Sequence, residues 1–156
     1  PFSYMNNKYE GKTIVITTTN GTRAINMGHK YQTVVVGSFL NLDALCAWLI
    51  KQNKNVLLLG SGWQNKFCLE DTICAGAIAD QLILSNKFKS NEDSSIASKY
   101  LYLSARDNIN GYLKASSHRK RLKNLNLNED IKYCLTPNQT TTIPILKNGF
   151  LVKLEE

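Results

Sequence analysis

Short apolar runs of strand length alternate with helix-like segments along the first half of this sequence. The segments 33–36 and 55–59 are rich in Val and Leu, and each is followed by Gly. Continuous apolar runs of this length are typical of parallel sheets, whose strands are covered on both faces. Strands that alternate with helices favour right-handed βαβ units. The pattern therefore predicts an α/β fold, layered α/β/α, around a mostly parallel central sheet.

Two longer helices are predicted in the first half of the sequence and just beyond it. A helix is predicted at 42–52, because its apolar residues repeat at helical spacing and Asn41 before it is a suitable N-cap. A second helix is predicted at 69–84. Small residues around Gly76 give this second helix a face that permits close approach by another element. That element is either another part of the same domain or a second subunit, so a homodimer remains open.

Shorter signals predict the remaining elements. An earlier β-branched strand covers 13–19, and a short helix follows at 23–27, ended by Gly28. Further helices are expected at 94–105 and 111–124, with strands at 131–135, 142–146 and 150–154. The Asn148-Gly149 pair is a strong hairpin turn between the last two strands. A C-terminal β-hairpin therefore makes the predicted sheet a mixed one.

Length and composition limit the class of protein. The 156 residues suffice for a single domain with a hydrophobic core, residues 1–156. No apolar run approaches the length of a membrane span, and neither a membrane partner nor a secretory leader is expected. The four cysteines form no CxxC pair, so they are interpreted as small apolar residues in a reducing, cytoplasmic compartment rather than as zinc ligands.

The net charge of +7 predicts an anionic partner. Part of the excess lies in one basic stretch, 118–123, which is most simply a solvated helix face and alternatively a nucleic-acid-binding surface. No aromatic RNA-binding signature accompanies this stretch. A small anionic substrate is therefore favoured over nucleic acid.

Small and polar residues follow three of the predicted strands. Ligands of open α/β sheets bind at these carboxyl ends, and the helix N-termini that follow offer free N–H groups to a phosphate. Arg23 adds a planar guanidinium suited to a bidentate phosphate contact. Each of these residues alone is a common turn or cap residue, but three such turns in one layer of the fold predict an anion-binding site. The predicted anion-binding residues are Thr19, Asn20, Gly21, Thr22, Arg23, Ser38, Asn41, Ser61 and Gly62.

The pair Glu70-Asp71 opens the helix predicted at 69–84. Acidic residues in a first helical turn are ordinary partners of the helix dipole. Magnesium, however, binds through one or two carboxylates together with substrate phosphate oxygens. Asp71 is the preferred Mg²⁺ ligand and Glu70 its helper. His118 is a weaker candidate for a phosphate or leaving-group contact.

Two motifs resemble those of the 2-phosphosulfolactate phosphatase family. Residues 17–24 are similar to its TTNGTRA signature, and residues 67–77 resemble its F-x-LED-x-x-x-AGA stretch. The segments 37–41 and 117–134 resemble the corresponding later parts, in the same order and spacing. Together the two motifs are much more specific than either alone, and the resemblance covers nearly the whole chain.

The resemblance implies a magnesium-dependent phosphoric monoester hydrolase of coenzyme M biosynthesis. Its reaction converts 2-phospho-3-sulfolactate and water to 3-sulfolactate and phosphate. Arg23, Glu70 and Asp71 are then the candidate catalytic residues, with Mg²⁺ on the two carboxylates. The family carries a further N-terminal segment, so the chain is expected to be the C-terminal two-thirds of a longer protein. The alternatives are a non-catalytic anion-binding α/β domain and a basic nucleic-acid-binding module.

Overall fold

Helices form most of the regular structure. The computed structural model describes residues 1–5, 9–12, 15, 18–122 and 125–155. Its helices are α1 (Gly21–Gly28), α2 (Leu42–Gln52), α3 (Leu69–Leu84), α4 (Asp93–Ala105), α5 (Ile109–Tyr112), α6 (Ser117–Leu122) and α7 (Asn128–Cys134). The strands β1 (Pro144–Lys147) and β2 (Phe150–Lys153) form an antiparallel pair. Within these described ranges, no helix has both the length and the apolar character needed to cross a membrane.

The helices α2 and α3 have the bounds that their apolar periodicity predicts. Leu45 and Cys46 of α2 pack with Ile73 and Ala77 of α3 in one buried cluster, and Ile73 is fully inaccessible to solvent. Asn53 ends α2 in the left-handed conformation, with φ of 50°, which is a common way to terminate a helix. The strong helical repeat thus determines both the elements and their buried faces.

The small-residue face of α3 packs against α4 within the same chain. A Cβ atom added to Gly76 would lie 2.0 Å from the carbonyl oxygen of Ser98, so only glycine permits this approach. The ion pair between Lys99 Nζ and Asp80, at 3.4 Å, joins the same two helices. The small residues therefore serve packing inside the domain.

The C-terminal hairpin is confirmed. β1 and β2 are joined by Asn148 and Gly149, whose φ values of 50° and 83° are those of a type I′ turn. On its other edge β1 bonds the predicted strand at 33–36, since Val36 N donates to Pro144 O and Leu146 N donates to Val34 O, both at 2.9 Å. The bridge between Val35 and Ile145 is antiparallel, so the predicted parallel pairing is not seen here.

The segment 55–59 is extended but belongs to no sheet in the described part of the chain. Its side chains alternate: Val56 and Leu58 pack against the core, whereas Leu57 is 63% exposed and Leu59 is 48% exposed. The expectation that both faces are covered is therefore wrong for this segment. A central parallel sheet is not shown, and the predicted strand at 13–19 lies largely outside the described residues.

Two predictions in the C-terminal half are wrong. The strand predicted at 131–135 is instead the helix α7, whose first turn carries Glu129 and Asp130 beside the positive end of the helix dipole. The single helix predicted at 111–124 is broken into α5, a 3-10 turn at Leu113–Ala115 and α6. The break falls at Ser116, which has an extended conformation with ψ of 150°.

Candidate active site

Residues 60–66 form a tightly turned loop, called the site loop below. Trp63 and Lys66 exchange backbone hydrogen bonds of 3.2 and 2.9 Å, and the residues between them, Gln64 and Asn65, have φ of 50° and 60°. Two positive φ values in such a two-residue loop define a type I′ turn. Gly62 has φ of +66°, and a Cβ there would lie 2.8 Å from Lys66 O. The loop conformation therefore requires glycine at this position.

The site loop holds the carboxylate of Asp71 in a fixed orientation. Gly62 N donates to Asp71 Oδ2 at 2.7 Å, and Ser61 Oγ donates to the same oxygen at 3.1 Å. No residue in the described ranges bonds the other oxygen, Oδ1. Because the Gly62 amide is engaged in this way, it supports the carboxylate and leaves no free N–H there for a phosphate.

The N-terminal end of α1 faces the site loop. Thr22 N donates to Thr18 Oγ1 at 3.0 Å, which satisfies one of the free amides at the start of the helix. Arg23 Nη1 donates to Asn65 Oδ1 at 2.5 Å. Gln64 N donates to Asn20 Oδ1 at a longer 3.4 Å. These contacts fix the guanidinium of Arg23 beside the turn of the site loop.

A cavity of about 260 Å³ lies between α1 and the site loop. Arg23 and Lys66 contribute its charges, and none of the described residues that line it is acidic. The lining residues are Asn20, Arg23, Ala24, Met27, Leu59, Gly60, Ser61, Gly62, Asn65 and Lys66. Asp71 does not line the cavity but bonds Ser61 and Gly62, which do. The charges of the cavity are suited to binding an anion. The Asp71 carboxylate is bonded to the cavity wall and does not itself line the cavity.

Glu70 has different contacts from Asp71. Ser116 Oγ donates to Glu70 Oε1 at 2.5 Å, and Cys68 Sγ donates to Oε2 at 3.4 Å. Burial raises the pKa of the Cys68 thiol to about 11, so the thiol keeps the proton that it donates. Both carboxylate oxygens of Glu70 are thus bonded within the protein, and they join the start of α3 to the start of α6.

Helix α6 also contacts the site loop. The guanidinium carbon of Arg121 lies 4.4 Å from the centre of the Trp63 ring, a cation–π contact. Arg121 Nη2 lies 3.1 Å from His118 Nδ1. His118 is half-buried and does not line the cavity. The structure therefore places the predicted histidine beside Arg121 and outside the described lining of the cavity.

Asn41 braces the chain in the part of the structure near β1. Its Oδ1 accepts from Ser38 N at 2.9 Å and from Ser38 Oγ at 3.2 Å. Its Nδ2 donates to Val36 O at 3.2 Å and Thr142 O at 3.0 Å. With four hydrogen bonds and 3% exposure, the amide is fully occupied by the protein. The predicted substrate role of Ser38 and Asn41 draws no support from this geometry.

Some of the predicted anion-binding residues are brought together and others are not. The cavity collects Asn20, Arg23, Ser61 and Gly62. Thr19, Gly21 and Thr22 lie at the start of α1 beside it, without lining it. Ser38, Asn41 and His118 lie elsewhere. The roles of all these residues stay predictions.

The comparison with known proteins fits the motifs at this site. A family described as 2-phosphosulpholactate phosphatase matches residues 1–149. The chain belongs to this family. The match includes α1, the site loop and the first turn of α3, which together form the cavity and its carboxylate.

Several curated relatives are similar over nearly the whole chain. A probable 2-phosphosulfolactate phosphatase of Caldanaerobacter subterraneus subsp. tengcongensis is 38% identical over 97% of this chain and 62% of its own length. A probable 2-phosphosulfolactate phosphatase of Clostridium perfringens strain SM101 is 37% identical over 99% of this chain and 62% of its own length. One of Gloeothece citriformis is 40% identical over 92% and 61%. The chain thus spans less than two thirds of the length of these relatives.

Sequence reasoning did not identify several contributors to the site, among them Asn65, Lys66 and Ser116. Asn65 and Lys66 lie three and four positions after Gly62, and a polar stretch before an acidic helix start is a signal that favours a ligand loop. Ser116 is 46 positions from Glu70, and no local pattern in the sequence indicates their contact.

The donor set fits magnesium better than a metal that needs a complete protein cage. No three His, Cys, Asp or Glu side chains cluster at a metal-binding distance in the part of the chain that the structure describes. Mg²⁺ commonly takes one or two carboxylates, substrate phosphate oxygens and several waters. Asp71 contacts the cavity wall through Oδ2, and its Oδ1 bonds no described residue, so Asp71 is the carboxylate that could hold the ion, whereas both oxygens of Glu70 are bonded.

Proposed function

We propose that this chain carries the phosphate-binding and metal-binding part of a magnesium-dependent phosphomonoester hydrolase. The reaction is the hydrolysis of 2-phospho-3-sulfolactate, in which water replaces the sulfolactate oxygen on phosphorus and releases 3-sulfolactate and phosphate. The observation that carries the proposal is the Arg23-lined cavity, whose wall, Ser61 and Gly62, orients the Asp71 carboxylate.

The substrate class follows from the charge of the cavity. Arg23 presents a guanidinium fixed by Asn65, and Lys66 adds a second cation at the same opening. Guanidinium groups bind phosphate oxygens in pairs and stabilise negative charge that develops during transfer. A substrate that bears phosphate, sulfonate and carboxylate is complementary to this surface. The names of the relatives provide the specific substrate of the proposal.

The two adjacent acids are assigned separate tasks. Asp71 would hold Mg²⁺ through Oδ1, while the hydrogen bonds from Ser61 and Gly62 keep the carboxylate in one rotamer. When bound, the ion would neutralise charge on the phosphoryl oxygens and make phosphorus more electrophilic. Glu70 positions the start of α6 through Ser116 and acts as the helper only indirectly.

The finer fold is part of the same proposal. We infer that the segments 33–36 and 55–59 belong to a layered α/β/α domain with a mostly parallel central sheet. Val56 and Leu58 pack against the core, whereas Leu57 and Leu59 are exposed, as in a strand with one buried face. The unpaired backbone of such a strand can pair with a further strand, which supports a sheet layer at this place. A cytoplasmic location remains the expectation from the unpaired cysteines.

The test is phosphate release from 2-phosphosulfolactate and a panel of other phosphomonoesters, with Mg²⁺ and with EDTA. The assay is run on this chain and on any longer natural form of it. We expect Mg²⁺-dependent turnover that Arg23→Ala lowers at least a hundredfold in kcat/KM, equivalent to about 2.7 kcal/mol of transition-state stabilisation. Arg106→Ala, which removes an exposed arginine that pairs with Asp107, is the matched control and should leave turnover unchanged.

Absence of turnover by every form on every substrate would overturn the proposal. Equal turnover by the Arg23→Ala and Arg106→Ala variants would remove Arg23 from the site and reject the phosphate-binding role of the cavity.

A further inference from the structure

A second basic cavity is lined by residues of the Leu113–Ala115 turn, α6 and α7. Its volume is about 290 Å³, close to that of the smallest ligand pockets of proteins. Lys114, Arg119 and Lys120 provide three cations, and Asn128 adds an amide. Leu122 and Ile131 complete the described lining, which contains no acidic residue.

Arg119 has a buried nitrogen without a partner. Its Nη1 is inaccessible to solvent and makes no hydrogen bond to any described residue. A buried charged donor that lacks a hydrogen bond is costly, because it loses its water without replacement. Arg119 also lines the cavity, so a rotation of its guanidinium toward the opening would replace an unsatisfied buried donor by a hydrogen bond to a bound anion.

The backbone of Arg119 is held in place by the first site. Arg119 N donates to Ser116 Oγ at 3.2 Å, and the same hydroxyl donates to Glu70. The two cavities have no lining residue in common, and Arg23 and Lys66 belong only to the first. The second cavity is therefore a separate cluster of donors, and nothing in the proposed hydrolysis uses it.

We propose that the cavity lined by Lys114, Arg119 and Lys120 binds a small multiply charged oxyanion. The ligand class is a phosphoryl, sulfonate or carboxylate group whose oxygens accept from the Arg119 guanidinium, once it has turned toward the cavity, and from the neighbouring ammonium groups. This site is additional to the one that the proposed function uses, and it stands whether or not that function holds. A concave cavity with a buried donor suits a small anion, whereas nucleic acid is bound by extended exposed surfaces.

The experiment is a calorimetric titration of this chain with inorganic phosphate, repeated with sulfate and with citrate. This inference predicts a phosphate-binding event that Arg119→Ala weakens at least tenfold. The proposed function predicts another event that Arg23→Ala removes. Lys120→Gln, a change of an exposed cation, should weaken the event that depends on Arg119 severalfold and serves if Arg119→Ala does not fold. Arg106→Ala removes the same charge at an unrelated surface and should change neither.

Three results would overturn the proposal. The first is phosphate binding by the Arg119→Ala and Lys120→Gln variants with the affinity of the parent chain. The second is a single binding event that Arg23→Ala abolishes, which would leave the first cavity as the only anion site. The third is that the chain binds RNA more tightly than phosphate, sulfate or citrate, and that Arg119→Ala weakens the RNA binding. This result would assign the surface to nucleic acid instead.

Discussion

The helical body, formed by α2, α3 and α4, is held together differently from the extended segment and site loop at 55–66. In the helical body, Ile73 is fully buried and Gly76 lies against the backbone of α4. In the 55–66 region, Leu57 and Leu59 are largely exposed, and individual hydrogen bonds fix the chain, such as that from Gly62 to Asp71.

The difference separates stability from function within one chain. Burial of apolar side chains stabilises the helical body, so its contacts tolerate little change in volume. The site loop gains little from burial and depends on turn geometry and on the carboxylate at the start of α3. The helical body thus provides a rigid support for Asp71 and Glu70, and the loops that it holds carry the candidate chemistry.

The largest effect is expected from matched leucine truncations in the two regions. Leu82→Ala should lower the free energy of unfolding by about 3 kcal/mol, because Leu82 is buried among α2 and α3 residues. Leu57→Ala should change it by less than about 0.5 kcal/mol, because the side chain is exposed. Urea unfolding of both variants checks the pair. Equal losses would show that the face of Leu57 is covered in solution and would break the comparison.

A smaller effect is expected from matched glycine substitutions. Gly76→Ala should lower the free energy of unfolding by about 2 kcal/mol, because the new Cβ meets the backbone of Ser98 and α4 must shift. Gly60→Ala should have an effect below about 0.5 kcal/mol, because its Cβ would make an ordinary 3.4 Å contact with Asp71 Cβ. Thermal unfolding of the two variants gives the ranking. If Gly60→Ala lowered the stability as much as Gly76→Ala, the site loop would contribute to the stability of the fold as the helical body does.

The helices of the helical body are predictable from the sequence, most clearly α2 with its apolar repeat. Both α2 and α3 have the predicted bounds, and Asn148-Gly149 predicts its hairpin through turn chemistry alone. The 131–135 segment was misassigned because a short apolar run carries no clear period, while the acidic residues before it favour a helix start. The pairing partner of 33–36 is β1, more than a hundred positions away, and a local pattern cannot indicate it.

The candidate site was predictable in part, because local patterns in the sequence indicate some of its residues. The turns at the ends of apolar segments indicate where polar residues collect, and Asn20, Arg23, Ser61 and Gly62 do lie together. The separate contacts of Glu70 and Asp71 could not be predicted. They depend on Ser116, which approaches α3 only because the chain breaks between α5 and α6.

The most direct test of the site is the broadening of the phosphorus signal of bound phosphate by Mn²⁺, a paramagnetic substitute for Mg²⁺. The assignment of the metal to Asp71 predicts strong broadening for the parent chain and for Glu70→Gln, and its loss in Asp71→Asn. Circular dichroism of both variants establishes that they are folded. Broadening that persists in Asp71→Asn and disappears in Glu70→Gln would contradict the account, as would its absence from the parent chain.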